Sequence, residues 1–259
     1  MVLAPRRSSD SVRVQDAARA AGVDVLRLDG WRVPPELGSR ADGLYAEPPY
    51  ADVVAGPLGL ALLEAPLDWL VRCPAALRGR PVEPTTLAEA RARLAGPAFV
   101  KAQDDKSVPP AVYRRGAELP GQDRVDGATP VLVQGVLRLR VEYRFWCLSG
   151  AVLTGSRYAV DGGPAPHALG GGEAASARAY AQEALSATRE TLPDATVLDV
   201  GVDDEGRWVV VEVNAAWGSG LYASDEHAAL PVVRASVLRA DRVPAPQAPF
   251  VRELPQVSW

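Results

Sequence analysis

The 259-residue sequence predicts an α+β protein, and three observations carry that expectation. Short apolar segments with period-two patterning recur along the chain, with helix-forming stretches between them. Thr86-Leu87-Ala88-Glu89 fits a capping box, and Gly96-Pro97 closes the helix it opens. Val197–Val202 and Arg207–Asn214 read as a hairpin around Asp203-Asp204-Glu205-Gly206. Composition agrees: 47% hydrophobic and 23% charged residues describe a globular chain and exclude a disordered one. No apolar run reaches the length of a membrane span. The segment Met1–Asp10 has no apolar core of a secretory signal, so a cytoplasmic location is expected. A net charge of −4, with both signs interspersed, gives no bulk attraction to nucleic acid.

The elements follow in order. Val12–Ala21 is rich in helix formers and Gly22 stops it, before the alternating strand Val23–Leu28. Residues 29–57 are dense in glycine and proline. Leu58–Glu64 is an apolar run and Leu67–Leu77 a candidate helix, completing a small α/β unit over residues 1–80. A boundary at 78–84 opens a second unit, 81–240, and a Pro-rich tail, 241–259, follows. After the capped helix come strands at Ala98–Lys101, Val131–Val133 and Val141–Cys147. Ser149-Gly150 is a hairpin turn into the strand Ala151–Tyr158. Asp161–Gly172, with five glycines and two prolines, is expected to be a mobile loop, either a lid or a linker. A long Ala-rich helix spans Glu173–Leu192, and another helix runs from Asp225 through Arg239.

Cys73 and Cys147 have no metal-ligand spacing and read as buried structural thiols in a disulfide-free protein. His167 and His227, the only histidines, supply neither a zinc site nor a nucleophile triad well. Among 28 basic residues the only lysines are Lys101 and Lys106, five positions apart. The cluster is either a product of arginine bias or a site that needs a narrow ammonium on a phosphate oxygen.

The hairpin carries the best chemical signal. With a four-residue turn, Val202 faces Arg207 and Asp199 faces Val210. Asp199, Val210, Glu212 and Asn214 then share one face. Asp199 and Glu212 become diagonal neighbours about 7 Å apart. Two carboxylates and an amide oxygen suit Mg²⁺. The pattern also describes the wet side of an edge hairpin, and such faces are common. Alternation also sets Arg138, Arg140, Glu142 and Arg144 on one side of their strand, a surface charge ladder or an anion clamp.

Taken in order, these pieces resemble the ATP-grasp superfamily over roughly residues 82–240, most closely its compact clade named for two arginines and a lysine. Phe99-Val100-Lys101 resembles the strand-end lysine that reaches nucleotide phosphates, with Lys106 on the loop after it. Val131–Gln134 resembles the hinge strand whose following backbone, through Val136, holds adenine. Glu142-Tyr143-Arg144 matches the triplet after the hinge, and Arg157 sits at a phosphate-binding position. Asp199 and the Glu212-x-Asn214 pair, 13 residues on, match the metal ligands. Three features depart from the pattern: residues 104–116 hold one glycine, Gly116; Gln134 replaces a glutamate; and Ala215–Gly220 replaces a Pro-Gly turn.

The resemblance implies an ATP-grasp fold, two α+β lobes gripping ATP, preceded by a small pre-grasp domain. It implies ATP and Mg²⁺, with Mn²⁺ as an alternative. The activity implied is a ligase that joins a small-molecule or peptide carboxylate to an amine or other nucleophile through an acyl phosphate. Lys101, Arg144 and Arg157 would be catalytic. Lys101, Lys106, Gln134, Val136, Glu142, Arg144 and Glu212 would contact the nucleotide. Two alternatives are a phosphotransferase and a nucleotide-binding module without turnover. On the acceptor side, Asp161–Gly172 and Trp217–Leu221 are expected to flank the γ-phosphate end, with amides of Gly218 and Gly220 facing Arg144 and Arg157.

Overall fold

The computed structural model describes residues 1–103 and 107–255. Lys106 lies outside the described residues. The chain opens with β1 (Val2–Leu3), α1 (Ser9–Ala20), β2 (Leu26–Arg27) and β3 (Leu44–Tyr45). The three strands form a parallel sheet in the order β2-β1-β3. Ser8 caps α1 by accepting from the Ser11 amide. The segment after it, α2 (Pro48–Val54) and β4 (Leu60–Leu62), leads to two short helices, α3 (Trp69–Arg72) and α4 (Ala75–Arg78). The single helix expected over 67–77 is therefore two. Pro74 cannot continue α3, and Cys73 before it takes an extended conformation.

The next unit is β5 (Val82–Thr86), α5 (Leu87–Arg93), β6 (Ala98–Ala102), β7 (Ala111–Tyr113) and β8 (Pro130–Gln134). Its four-stranded sheet has the order β5-β8-β6-β7. Both halves of the capping box expected at Thr86 and Glu89 are formed. The last unit holds β9 (Leu139–Leu148), β10 (Ala151–Val160), β11 (Gly163–Ala168), α6 (Gly171–Thr188), β12 (Ala195–Asp203), β13 (Trp208–Asn214), α7 (Glu226–Ala235) and β14 (Val237–Arg239). Its five-stranded sheet is antiparallel in the order β11-β10-β9-β12-β13.

Two expectations change here. The glycine-rich stretch 161–172 is not a loop. Asp161 and Gly162 take left-handed φ values of 48° and 75°, which close a tight turn, and 163–168 returns along β10 as an edge strand. The helix after Asp225 ends at Ala235, and 237–239 pairs with β4 instead.

The large sheet is covered on both faces. On one, Phe145, Cys147, Leu198 and Val200 pack against Ala177, Ala181, Ala184 and Leu185 of α6. On the other, Trp146 and Val197 pack against Ala229, Leu230 and Val233 of α7, together with Leu3, Val14 and Ala17. Cys73 and Cys147 are free and buried, as expected. Among the described residues no helix is long and apolar enough to cross a membrane.

Candidate active site

Strand register assembles the site. Arg144 of β9 lies opposite Asp199 of β12, and Asp199 lies opposite Glu212 of β13. The pairing differs from the expected one. Val200 pairs with Val210, then the register shifts, so Asp199 faces Glu212 directly and not Val210. The cause is a β-bulge at Val211. It turns Val210 into the core with Val200 while leaving Glu212 and Asn214 on the Asp199 face.

The polar contacts are dense. Arg144 grips Asp199 with two parallel bonds, Nε to Oδ1 at 2.9 Å and Nη2 to Oδ2 at 2.7 Å. Asn214 Nδ2 donates to Asp199 Oδ2 at 3.1 Å and to Glu212 Oε1 at 3.2 Å. From the facing sheet, Lys101 Nζ reaches Glu212 Oε2 at 2.7 Å. Thus two carboxylates are matched by two cations, with an amide between them. Asp199 is 1% exposed, and burial pushes its carboxyl up to about 6 against the pull of Arg144. Burial would also raise Glu212, but Lys101 and Asn214 outweigh it and its pKa is lowered.

A second layer holds this row. Tyr158 donates to Glu142 Oε2 at 2.7 Å and stacks on Tyr222 with ring centroids 5.0 Å apart. The Arg144 guanidinium lies 5.0 Å from the Tyr222 ring centre and 5.7 Å from that of Tyr158. Burial raises the Glu142 pKa, and the charge of Glu212 adds to that. Tyr222 has a left-handed φ of 49°, a strain held by Arg13, which bonds its carbonyl at 2.6 Å.

Arg80 joins the two sheets. Its Nε and Nη2 donate to Gln134 Oε1 at 3.0 and 2.8 Å. Its Nη1 and Nη2 reach the bulge carbonyls of Val210 and Val211, each at 2.8 Å. Burial pushes its pKa down to about 10. Sequence reading placed Arg80 only in a boundary segment. Beyond a local bond to the Arg78 carbonyl nothing marks it, because its partners in the two sheets are 54 and 130 residues away.

The remaining expected residues fall as follows. Gln134 ends β8, 3% exposed and held by Arg80, and Val136 is exposed on the connection to β9. Arg138 and Arg140 are exposed, away from the row, because a register shift at the start of β9 breaks the alternation. Arg157 pairs with Tyr143, whose ring packs in the α6 core. Arg157 therefore leaves the sheet on the face opposite Arg144, and its Nε bonds the Ala165 carbonyl at 3.2 Å. The structure does not bring it to the carboxylates, nor does it bring 161–172 there.

Lys101, Glu212 and Asn214 line a cleft of about 210 Å³ with Leu132, Trp217 and Gly218. The Gly218 amide is already spent on the Ala215 carbonyl at 3.3 Å. Among the described residues no three His, Cys, Asp or Glu side chains are placed to hold a metal ion. The donor set Asp199, Glu212 and Asn214 nonetheless offers oxygens of the type Mg²⁺ takes. Glu212 and Asn214 present theirs to the cleft, with the Glu212 side chain 34% exposed. Asp199 sits behind them with both oxygens given to Arg144.

Comparison with known proteins agrees with this architecture. The solved D-cycloserine synthetase DcsG is similar at 15% identity and a TM-score of 0.58, over 90% of this chain and 98% of that one. The RimK-domain ATP-grasp protein from Sphaerobacter thermophilus gives 16% and 0.54 over 96% and 98% of the two chains. The D-alanine–D-alanine ligase from Bacillus anthracis gives 13% and 0.54 over 91% and 96%. No curated protein sequence matches the chain. The fold is that of ATP-grasp proteins. The model of an ATP-grasp domain family, the second family of the clade named for two arginines and a lysine, matches residues 77–232, more than half the chain. The chain therefore belongs to that clade of the ATP-grasp domain family.

Proposed function

We propose that this protein is an ATP-dependent ligase that activates a carboxylate as an acyl phosphate and joins it to an amine or another nucleophile. The observation that carries the reading is the in-register row of Arg144, Asp199 and Glu212, met by Lys101 from the facing sheet. ATP supplies the phosphoryl group. Lys101 moves from Glu212 to a phosphate oxygen, a small exchange for a compact ammonium on a flexible stem. Glu212 and Asn214 would hold Mg²⁺ against the phosphates, with Asp199 behind them. Arg144 keeps Asp199 charged and its Nη1, 3.4 Å from the Gly220 carbonyl, borders the acceptor side. Catalysis of this kind rests on positioning and charge neutralisation and needs no side-chain nucleophile. Residues 1–80 would act as the pre-grasp unit.

The test is ADP release with candidate carboxylates in the presence and absence of amines, and mass spectrometry of the product. Glu212→Gln should cut turnover by about 100-fold or more while circular dichroism stays native. Turnover at the wild-type rate in that variant would overturn the reading. ADP release that needs a carboxylate but never an amine, with a stable phosphorylated product, would replace it with a phosphotransferase.

A further inference from the structure

A second cavity, about 510 Å³, lies on the other side of the loop after β13. Gly218 lines both this cavity and the cleft that holds Lys101 and Glu212, so the two spaces meet at that loop. Resting on the ligase reading, we propose that this cavity binds the second substrate, a small primary amine carrying an aromatic or flat apolar group.

The chemistry of the lining carries the proposal. Asp10 projects into the cavity, its side chain 28% exposed. Among the described residues its only ionic partner is Arg13, at 3.9 Å, and no hydrogen bond reaches its carboxylate. Arg13 itself is committed elsewhere, to Glu226 at 2.6 Å and to the carbonyls of Tyr222 and Ser224. A partly exposed carboxylate without a donor is a seat for an ammonium group, and it can take the proton that the nitrogen must lose before it attacks the acyl phosphate and releases inorganic phosphate. The seat is close to the reaction row: a Cβ on Gly220 would come within 3.1 Å of Asp10 Oδ2, and the Gly220 carbonyl contacts Arg144.

One wall is aromatic. Trp31 is 50% exposed and tilts against Tyr50 with ring centroids 4.9 Å apart. Tyr50 is fixed by its hydroxyl on the Gly30 carbonyl at 2.5 Å. Tyr45 closes the floor, its hydroxyl given to the Ser219 carbonyl at 2.7 Å. At the rim, Arg6 and Glu47 neutralise each other at 2.7 Å, so neither adds a net field. The start of α1 also faces the cavity, but it does not ask for an anion. Ser8 caps it, and Asp10 in its first turn already supplies a negative charge to the positive end of the helix dipole. An exposed indole and a carboxylate that lacks a donor, lining the same cavity, fit a cation joined to a flat ring.

The experiment titrates the full-length protein by calorimetry, without ATP, with tryptamine, with indole-3-propionate and with ethylammonium. The first two share a ring and differ in charge; the third has the charge without the ring. Tryptamine should bind at least tenfold more tightly than either of the others. Asp10→Asn should weaken tryptamine about tenfold and erase the preference over indole-3-propionate. Trp31→Ala should bring tryptamine down to the level of ethylammonium. Equal or tighter binding of indole-3-propionate to wild type, or no binding of tryptamine, would overturn the proposal. A separate titration with a non-hydrolysable ATP analogue keeps the two readings apart. Analogue binding without tryptamine binding sinks the cavity assignment alone, and tryptamine binding without analogue binding sinks the ligase reading.

Discussion

Arg144 and Asp199 form a pair in which each residue is costly without the other. Replacing Arg144 by Met leaves a 1% exposed carboxylate with Asn214 as its one donor among the described residues, and removal of one partner from such a pair costs about 3–5 kcal/mol. Urea unfolding at pH 8 should show a loss of that order. A second change, Asp199→Leu, should recover most of it, since a dry pair of similar volume has no charge to desolvate. The pH dependence has a definite sign. Beside Arg144, burial pushes the Asp199 carboxyl up to about 6, and loss of the arginine raises it further, so in the variant the cost of the buried charge is felt at high pH and fades as pH falls towards 6. The deficit of Arg144→Met should therefore shrink between pH 8 and pH 5. A constant deficit would mean that the charge on Asp199 is not what the arginine compensates. Much at this scale was legible in the sequence. Two lone lysines in an arginine-rich chain pointed to Lys101, and the Glu-x-Asn spacing pointed to Glu212 and Asn214. That Arg144 would close on Asp199 was not legible, because it depends on the register between two strands 55 residues apart.

The strands decide which of these residues meet. The hairpin over 197–214 was readable from its alternation and its acidic turn, where Asp203 accepts from the amides of Glu205 and Arg207. The bulge at Val211 was not, since a one-residue irregularity leaves no mark on a run of valines. Arg80 holds that bulge in place through the carbonyls of Val210 and Val211. Arg80→Ala should lower stability by about 2 kcal/mol, the cost of leaving such acceptors and Gln134 without a charged donor. Arg80→Lys should restore little of it, because a point charge cannot reach two sheets with a fork of donors. Equal stability of Arg80→Lys and wild type in urea would remove the fork from the account. Glycine density misled at 161–172, where the left-handed turn at Asp161-Gly162 sends the chain back as β11. Deleting 163–168 should then uncover the edge of β10 and promote association. Size-exclusion chromatography checks this, and an unaltered monomer-to-aggregate profile would mean that β11 protects nothing.

At the scale of the molecule, the family match over 77–232 does not coincide with a separable core. Met1, Leu3, Val14, Ala17 and Ala18 lie in one cluster with Trp146, Ala195, Val197, Ala229 and Val233, so the first helix completes the α7 face of the large sheet. Trp217, 1% exposed, packs in a cluster with Val54, Leu58, Leu62 and Val237, and its indole nitrogen donates to the Leu63 carbonyl at 3.0 Å. The Pro-rich segment is tied in as well. Leu63 bridges Val251, and Arg252, only 9% exposed, pairs with Asp52 at 2.7 Å and Glu64 at 2.8 Å beside the Trp217 ring. These contacts join positions about 200 residues apart, and a reading by local pattern cannot foresee them. They make the cleft a property of the whole chain, since Glu64 and Ala65 after β4, the loop at Trp217 and Arg252 line it together with Lys101. A fragment of residues 77–232 would keep both sheets but lose Met1, Leu3, Val14, Ala17, Ala18 and Val233 from the cluster they share with Trp146, Val197 and Ala229, leaving part of that apolar surface bare. A patch of that kind drives aggregation. The fragment is expected to lack a cooperative thermal transition and to bind no ATP analogue, whereas the full chain should melt in a single step. Co-expression with residues 1–76 should restore at most part of that behaviour, because the segment after 232 supplies β14 and Arg252. A fragment of 77–232 that melts cooperatively at the temperature of the full chain would show that the shared clusters contribute nothing to holding the cleft.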